Sequence, residues 1–456
     1  MLKLPISLAV GFALHLPLAA APPETAPAFA WATSAGGPKN EKTRAINVDR
    51  QGNVFLAGEA TDEVKFGDTT LKSAGGMNFF VAKLNAQGQF QWARLGGGGL
   101  IDRGYGVAAD AEGNCYVTGH YQSTDADFSG TKLINRGDYD VFVAKYDRDG
   151  KLQWVQTAGG KGYDYGHGIA VDDAGDVIVT GAVVGEADFG AAKIPNEPGS
   201  HVFCAKYHAD GKLVWAKVAT GAARGSGHGV AVDGGGNIYV GGLSSGAGEF
   251  GGKPLVTPKG QSALVVKLSP QGEVRWLAQE FGEASCLFHE ITCDREGRVW
   301  ASGMFKGKAT IGTETFTTTG DKDSDALLCH FDTEGKLLWS RVGSGPGIDY
   351  GLGVTTDGHG NSFLTGEFND TFTLAGEQLH SIGGADVYVA KFDAQGALRW
   401  LTQGGSDKTD SAYTMVCDAE GNLVFGGAIG GNAKFGNATA TTAGGNDLYA
   451  AKLKAK

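Results

Sequence analysis

Residues 140–154 read Asp-Val-Phe-Val-Ala-Lys-Tyr-Asp-Arg-Asp-Gly-Lys-Leu-Gln-Trp. Two short apolar runs flank an Asp-x-x-Gly turn, the pattern of two antiparallel strands joined by a tight hairpin. The pattern returns along the chain, as FFVAKL at 79–84 and as DVYVAKF at 386–392 followed by GALRW at 396–400. Its closing Trp stands at Trp31, Trp92, Trp154, Trp215, Trp276, Trp339 and Trp400, at intervals of 61 to 63 residues, with Trp300 off this register. Asp49, Asp110, Asp172, Asp233, Asp294, Asp357 and Asp418 keep the same interval, and each opens a turn of the form D-x-x-G-[NDR] between runs such as GIAV and VIVTG. The Gly and Asn of that turn supply the positive φ of a hairpin, so these runs are strands one and two of a unit. A loop with a K-F-G or D-F-G element leads to strand three, and a second Gly turn leads to the Trp strand.

Self-similarity at this period, with four short antiparallel strands per unit, predicts an all-β, seven-bladed β-propeller. The last unit ends in DLYAAKL without its Trp strand, while Phe29-Ala30-Trp31-Ala32 near the start matches that missing strand. The N-terminal strand, residues 29–33, is therefore expected to pair with the C-terminal blade, residues 411–456, and to close the ring. One domain is predicted over 29–456.

Composition agrees. Glycine supplies 75 of 456 residues, more than twice average usage, as a turn-rich chain requires. A net charge of -11 with no basic stripe excludes a nucleic-acid partner. Lys3, the apolar run Leu4 to Leu18 and Ala19-Ala20-Ala21 predict a signal peptide over 1–21, followed by a short Pro/Ala spacer over 22–28. No later stretch is long and apolar enough to span a membrane. The expectation is a monomer outside the cytoplasm, periplasmic or secreted. Of the six cysteines, Cys286 and Cys293 are the one local pair whose disulfide state the sequence leaves open.

The V-D-x-x-G-N-[VI]-Y-V-T-G run, the F-G element, D-V-F-V-A-K and G-K-L-x-W resemble the SBBP (beta-propeller) repeat family of exported bacterial proteins, in seven copies across the mature chain. That resemblance implies a fold and a location rather than a reaction. Ala144 to Trp154 also looks like the tryptophan-docking repeat of quinoproteins, with Asp147 displaced by one position and seven units where quinoprotein dehydrogenases have eight.

Loops entering strand one face the channel mouth of a propeller, where ligands are expected. Five positions before each turn Asp stand Arg44, Tyr105, His167, His228, His289, Leu352 and Tyr413. Three successive histidines are a candidate divalent-metal site, because imidazole is a common metal ligand. Eight positions before the Asp stand Glu41, Asp102, Asp164, Gly225, Cys286, Asp349 and Asp410, a candidate carboxylate collar for a hard cation, with turn chemistry as its alternative. Asp321, Asp323 and Asp325 alternate with ion-loop spacing but lack the distal Glu of an EF-hand. Tyr163, Tyr165 and Tyr350 lie near the same rim and are placed to stack on a ligand ring. No nucleophile-and-base motif is present. The expected function is a non-catalytic platform for a protein or carbohydrate ligand. A metal-assisted lyase or hydrolase using the histidines is the alternative, and a quinoprotein-like oxidoreductase comes third.

Overall fold

The computed structural model describes residues 24–195, 198–320 and 323–455, so the predicted signal peptide and Asp321 lie outside the described residues. Among the described residues every regular element is a β-strand. Lys42–Val48, Val54–Phe66, Thr69–Leu84 and Phe90–Gly96 pair antiparallel in chain order. The same meander restarts at Asp102, Tyr165, Arg224, Ser285 and Tyr350. A further sheet joins Asp410–Cys417, Leu423–Ile429 and Asp447–Leu453, and its fourth strand is Phe29–Ala35. That strand runs antiparallel to Asp447–Leu453, with Thr33 opposite Ala450. The first strands of successive sheets touch in order, and Asp410–Cys417 touches Lys42–Val48.

The turn aspartates act through their side chains. Asp49 Oδ1 accepts the backbone N–H groups of Gln51 and Asn53, at 3.0 and 2.9 Å, while Gly52 takes the positive φ of 78°. Asn53 does not share that φ; its side-chain amide donates to Asp49 Oδ2 at 2.8 Å. The turn before the Trp strand uses the same device, with Asn85, Asp147, Ser269, Asp332 and Asp393 each accepting two backbone N–H groups.

Six of the seven strand-four Trp side chains reach the next unit. Trp31 Nε1 donates to the Ala86 carbonyl at 3.0 Å, and Trp92, Trp154, Trp215, Trp276 and Trp339 do the same with Arg148, Ala209, Pro270, Thr333 and Ala394. The indole lies flat on the turn glycine: a Cβ at Gly88 would stand 2.7 Å from the Trp31 ring. Trp400 makes no such hydrogen bond among the described residues. Glu24 fills the gap, donating its N–H to the Arg399 carbonyl at 2.8 Å while its carboxylate pairs with Lys391 at 3.0 Å. Ala26 and Phe29 join the core around Trp400. Residues 24–28 are thus part of the packed body, a correction to their reading as a spacer.

The F-G element also proves to be more than a loop. Its apolar residue, Phe66, Phe128, Phe189, Phe250, Ile311, Leu374 or Phe435, is buried within a small hairpin. That hairpin pairs with strand four of the preceding unit, as at Gly343 with Leu374 and Phe281 with Thr310. All six cysteines are free. Cys286 and Cys293 occupy one strand, Ser285–Cys293, and seven residues at about 3.3 Å each place them far beyond the disulfide limit of about 7 Å.

If the seam at Phe29–Ala35 is built like the other junctions, Trp31→Ala and Trp215→Ala should lose similar stability, about 3 kcal/mol by denaturant unfolding. A silent Trp31→Ala beside a damaging Trp215→Ala would contradict that equivalence.

Candidate functional site

Every first strand carries a register break at one place. The pairing with strand two slips between Thr43 and Ala45, Gly104 and Gly106, Gly166 and Gly168, Gly227 and Gly229, Phe288 and Glu290, Gly351 and Gly353, and Ala412 and Thr414. The extra residue is Arg44, Tyr105, His167, His228, His289, Leu352 or Tyr413, the series counted five positions before the turn Asp. A β-bulge leaves its extra residue outside the ladder and re-aims the side chain. All seven line one cavity of about 660 Å³.

Six of them form a stacked arc. Arg44 lies between the rings of Tyr413 and Tyr105, at 5.1 and 5.3 Å. Tyr105 and His167 are 4.8 Å apart, His167 and His228 4.8 Å with planes at 23°, and His228 and His289 5.9 Å at 24°. Tyr350 follows at 6.1 Å, and Leu352 fills the remaining arc. His167 Nδ1 stands 2.9 Å from the His228 carbonyl. A carbonyl only accepts, so Nδ1 carries the proton and Nε2 the lone pair. His228 Nε2 meets Ser226 Oγ at 2.8 Å. Burial holds all three rings neutral: His167 lies well below its ordinary value, with the neighbouring His228 adding to the effect. His228 falls to about 4, opposed in part by the Phe288 carbonyl, and His289 to about 3.

The candidate metal site is corrected by this geometry. Rings stacked face to face direct their nitrogen lone pairs along their own planes rather than to a shared point, and one nitrogen of His167 is spent on backbone. Among the described residues no group of three or more His, Cys, Asp or Glu side chains is placed to hold a metal ion.

The carboxylate collar is corrected too. Glu41, Asp102, Asp164, Asp349 and Asp410 are fully buried and do not line the cavity. Four of them accept the backbone N–H four residues earlier, Gly37 for Glu41, Gly98 for Asp102, Gly160 for Asp164 and Ser406 for Asp410, at 2.5 to 3.0 Å. The second oxygen of Asp102, Asp164, Asp349 and Asp410 accepts the N–H twenty residues ahead, from Gln122, Val184, Asn369 and Gly430. These acids are turn-builders that tie two loops together. Four of them also face an acid at the start of strand three in the unit before: Asp140 beside Asp164, Asp325 beside Asp349, Asp386 beside Asp410, and Asp447 beside Glu41. Burial, reinforced by the paired charge, pushes Asp164 and Asp386 up to about 6 and Asp349 to about 8, and raises Glu41.

Of the rim tyrosines, Tyr350 lines the cavity, whereas Tyr163 and Tyr165 pack 5.4 Å apart in a second aromatic group around buried His120. That group continues to Tyr105 and so joins the arc. Sequence counting missed Glu59, Met304 and Glu367. Each directly follows the glycine of strand two, in GEA, GMF and GEF, a position as regular as the turn Asp. Met304 and Glu367 line the cavity. Glu59 accepts from Arg44 Nη2 at 2.9 Å and stands 3.0 Å from Arg103 Nε.

No family model matches the chain. A stretch of 113 residues, 24% of the chain, is 27% identical to an uncharacterised WD repeat-containing protein of Acanthamoeba polyphaga mimivirus, and covers 8% of that relative. Among solved structures, the NanB sialidase of Streptococcus pneumoniae aligns over 96% of this chain and 71% of its own, at 10% identity and a TM-score of 0.42. A gluconolactonase from Xanthomonas campestris aligns over 74% and 84%, at 16% identity and 0.35. The Synechocystis apocarotenoid oxygenase aligns over 86% and 88%, at 13% identity and 0.38. At this level of likeness none of them transfers an activity.

The buried carboxyls have folded pKa values raised above the unfolded value of about 4. Their stabilising contribution is complete below that value and is lost as pH rises through about 6 to 8. The melting temperature is therefore expected to fall between pH 5 and pH 8.5. Asp349→Asn should flatten that fall and melt above the parent protein at pH 8.5. A melting temperature that climbs with pH across this range would contradict the assignment.

Proposed function

We propose that the units form a seven-bladed β-propeller of the SBBP repeat type, shut by Phe29–Ala35, and that the protein is an exported, non-catalytic binding module. Its ligand, a carbohydrate or a protein segment, enters the cavity framed by the bulge residues. Contacts between successive first strands, returning from Asp410–Cys417 to Lys42–Val48, support the ring. The Lys3-to-Ala21 pattern supports export.

One observation carries the binding reading: seven bulged residues from seven separate strands converge on one cavity. A bulge costs a ladder pairing, and here that cost recurs at every first strand while the exposed side chain differs each time. The lining sets aromatic and imidazole faces beside polar groups such as Arg44, Asn47 and Glu367, the composition of a pocket that holds a ring-shaped ligand bearing polar substituents. Histidines with pKa values of about 3 to 4 are weak bases at neutral pH, which favours holding over proton transfer.

A panel of immobilised polysaccharides and synthetic peptides tests this, with Leu352→Trp as the variant that fills the cavity. Ligands held by the parent protein should be lost from the variant at unchanged melting temperature. Equal retention by both would move the ligand elsewhere on the surface, and release of a chemically altered ligand would replace binding with catalysis.

A further inference from the structure

The charges of the cavity are unevenly answered. Arg44 lines it with its side chain 21% exposed, and among the described residues its only side-chain hydrogen bond is from Nη2 to Glu59. Glu59 also pairs with Arg103, so two guanidiniums share one carboxylate and one positive charge is left over. Nη1 of Arg44 donates to nothing among the described residues. Lys42 stands beside the same arc, 5.9 Å from the Tyr413 ring, and enters no ion pair among the described residues. Of the acids that line the cavity, Glu367 faces Lys42 and accepts from Ser411, which leaves the surplus guanidinium charge at Arg44 unanswered by it. Burial pushes Glu290 up to about 8 and raises Glu367. The three histidines are neutral. A chain with a net charge of -11 thus carries local positive charge at its most elaborate cavity.

The guanidinium carbon stands over both tyrosine rings, and with Nη2 on Glu59 this leaves Nη1 as a free donor. A planar, pre-oriented guanidinium suits a carboxylate. On either side of it the wall alternates π faces with polar edges: the phenol groups of Tyr105, Tyr350 and Tyr413 and the lone pair of His167 Nε2. A pyranose presents the matching surface, C–H faces bounded by hydroxyls, whereas a purely aromatic acid would leave those polar edges unpaired.

We propose that the cavity takes an acidic sugar, with its carboxylate on Arg44 and its ring against the Tyr105, Tyr413 and His167 arc. This rests on the binding reading above and narrows its ligand to one class.

Calorimetry with a matched pair tests it: cellotetraose and the same tetrasaccharide oxidised to carboxylate at every C6, with benzoate as the aromatic acid. At low salt the oxidised sugar should bind at least about tenfold tighter than cellotetraose. That margin should shrink as salt is added, since screening weakens exposed charge attraction. Arg44→Gln should erase the margin. Glu59→Gln, which releases both guanidiniums, should widen it, and it reads the charge even if Arg44→Gln folds poorly. Equal affinity for the two sugars, both abolished by Leu352→Trp, would overturn the acidic class while leaving the cavity as a binding site. Benzoate binding as tightly as the oxidised sugar, or no binding of any of the three probes, would overturn it as well.

Discussion

One close approach governs the architecture of the site. In each unit a carbonyl oxygen of strand one presses on a strand-two glycine so tightly that a β-carbon has no room. A Cβ at Gly58 would stand 1.8 Å from the Lys42 oxygen, and at Gly181 1.9 Å from that of Tyr165. The backbone comes this near because strand one carries one residue more than its partner, and the surplus must be thrown to one side. The discarded residue becomes the lining of the cavity. The glycine that looks like filler in V-T-G is therefore what allows Arg44, Tyr105 or His167 to leave the ladder.

Cohesion between units depends on a second set of interactions that do not involve the cavity. The indole of one unit lies on the glycine turn of the next, the F-G hairpin reaches back to the preceding strand four, and buried carboxyls pin the loops between. These links repeat from unit to unit, with Glu24 standing in at the Trp400 junction. The bulge residue is free of that duty. This separation explains how the channel position varies from Arg through Tyr and His to Leu while the Trp and Asp positions do not.

Much of this was legible in the sequence. The Trp and Asp intervals gave the strand meander, and the orphan strand at Phe29 pointed to the C-terminal sheet, because both depend on local turn chemistry and simple counting. Counting five positions back also gathered residues that line one cavity. What they do there was not legible. Three histidines in register look like ligands in one dimension, and only the tilt of the rings shows that they stack. The acids at Glu41, Asp102, Asp164, Asp349 and Asp410 were equally ambiguous: a carboxylate that closes loops and one that holds a cation share their spacing and differ in burial. The Glu59 and Glu367 series was available in the letters but lay on strand two, outside the positions counted back from the turn Asp.

The seam between Phe29–Ala35 and Asp447–Leu453 sets an order of events for the newborn chain. Trp31 pairs opposite Lys452, so Phe29–Ala35 must wait for a strand made far later in the chain. Contacts of such sequence separation are entropically slow to form. Until Asp447–Leu453 has been made, that strand is an open edge able to dock on a neighbouring chain. Any helper that shields nascent protein has its longest task at this segment, and a molecule cut short before Asp447 would be left with its clasp undone.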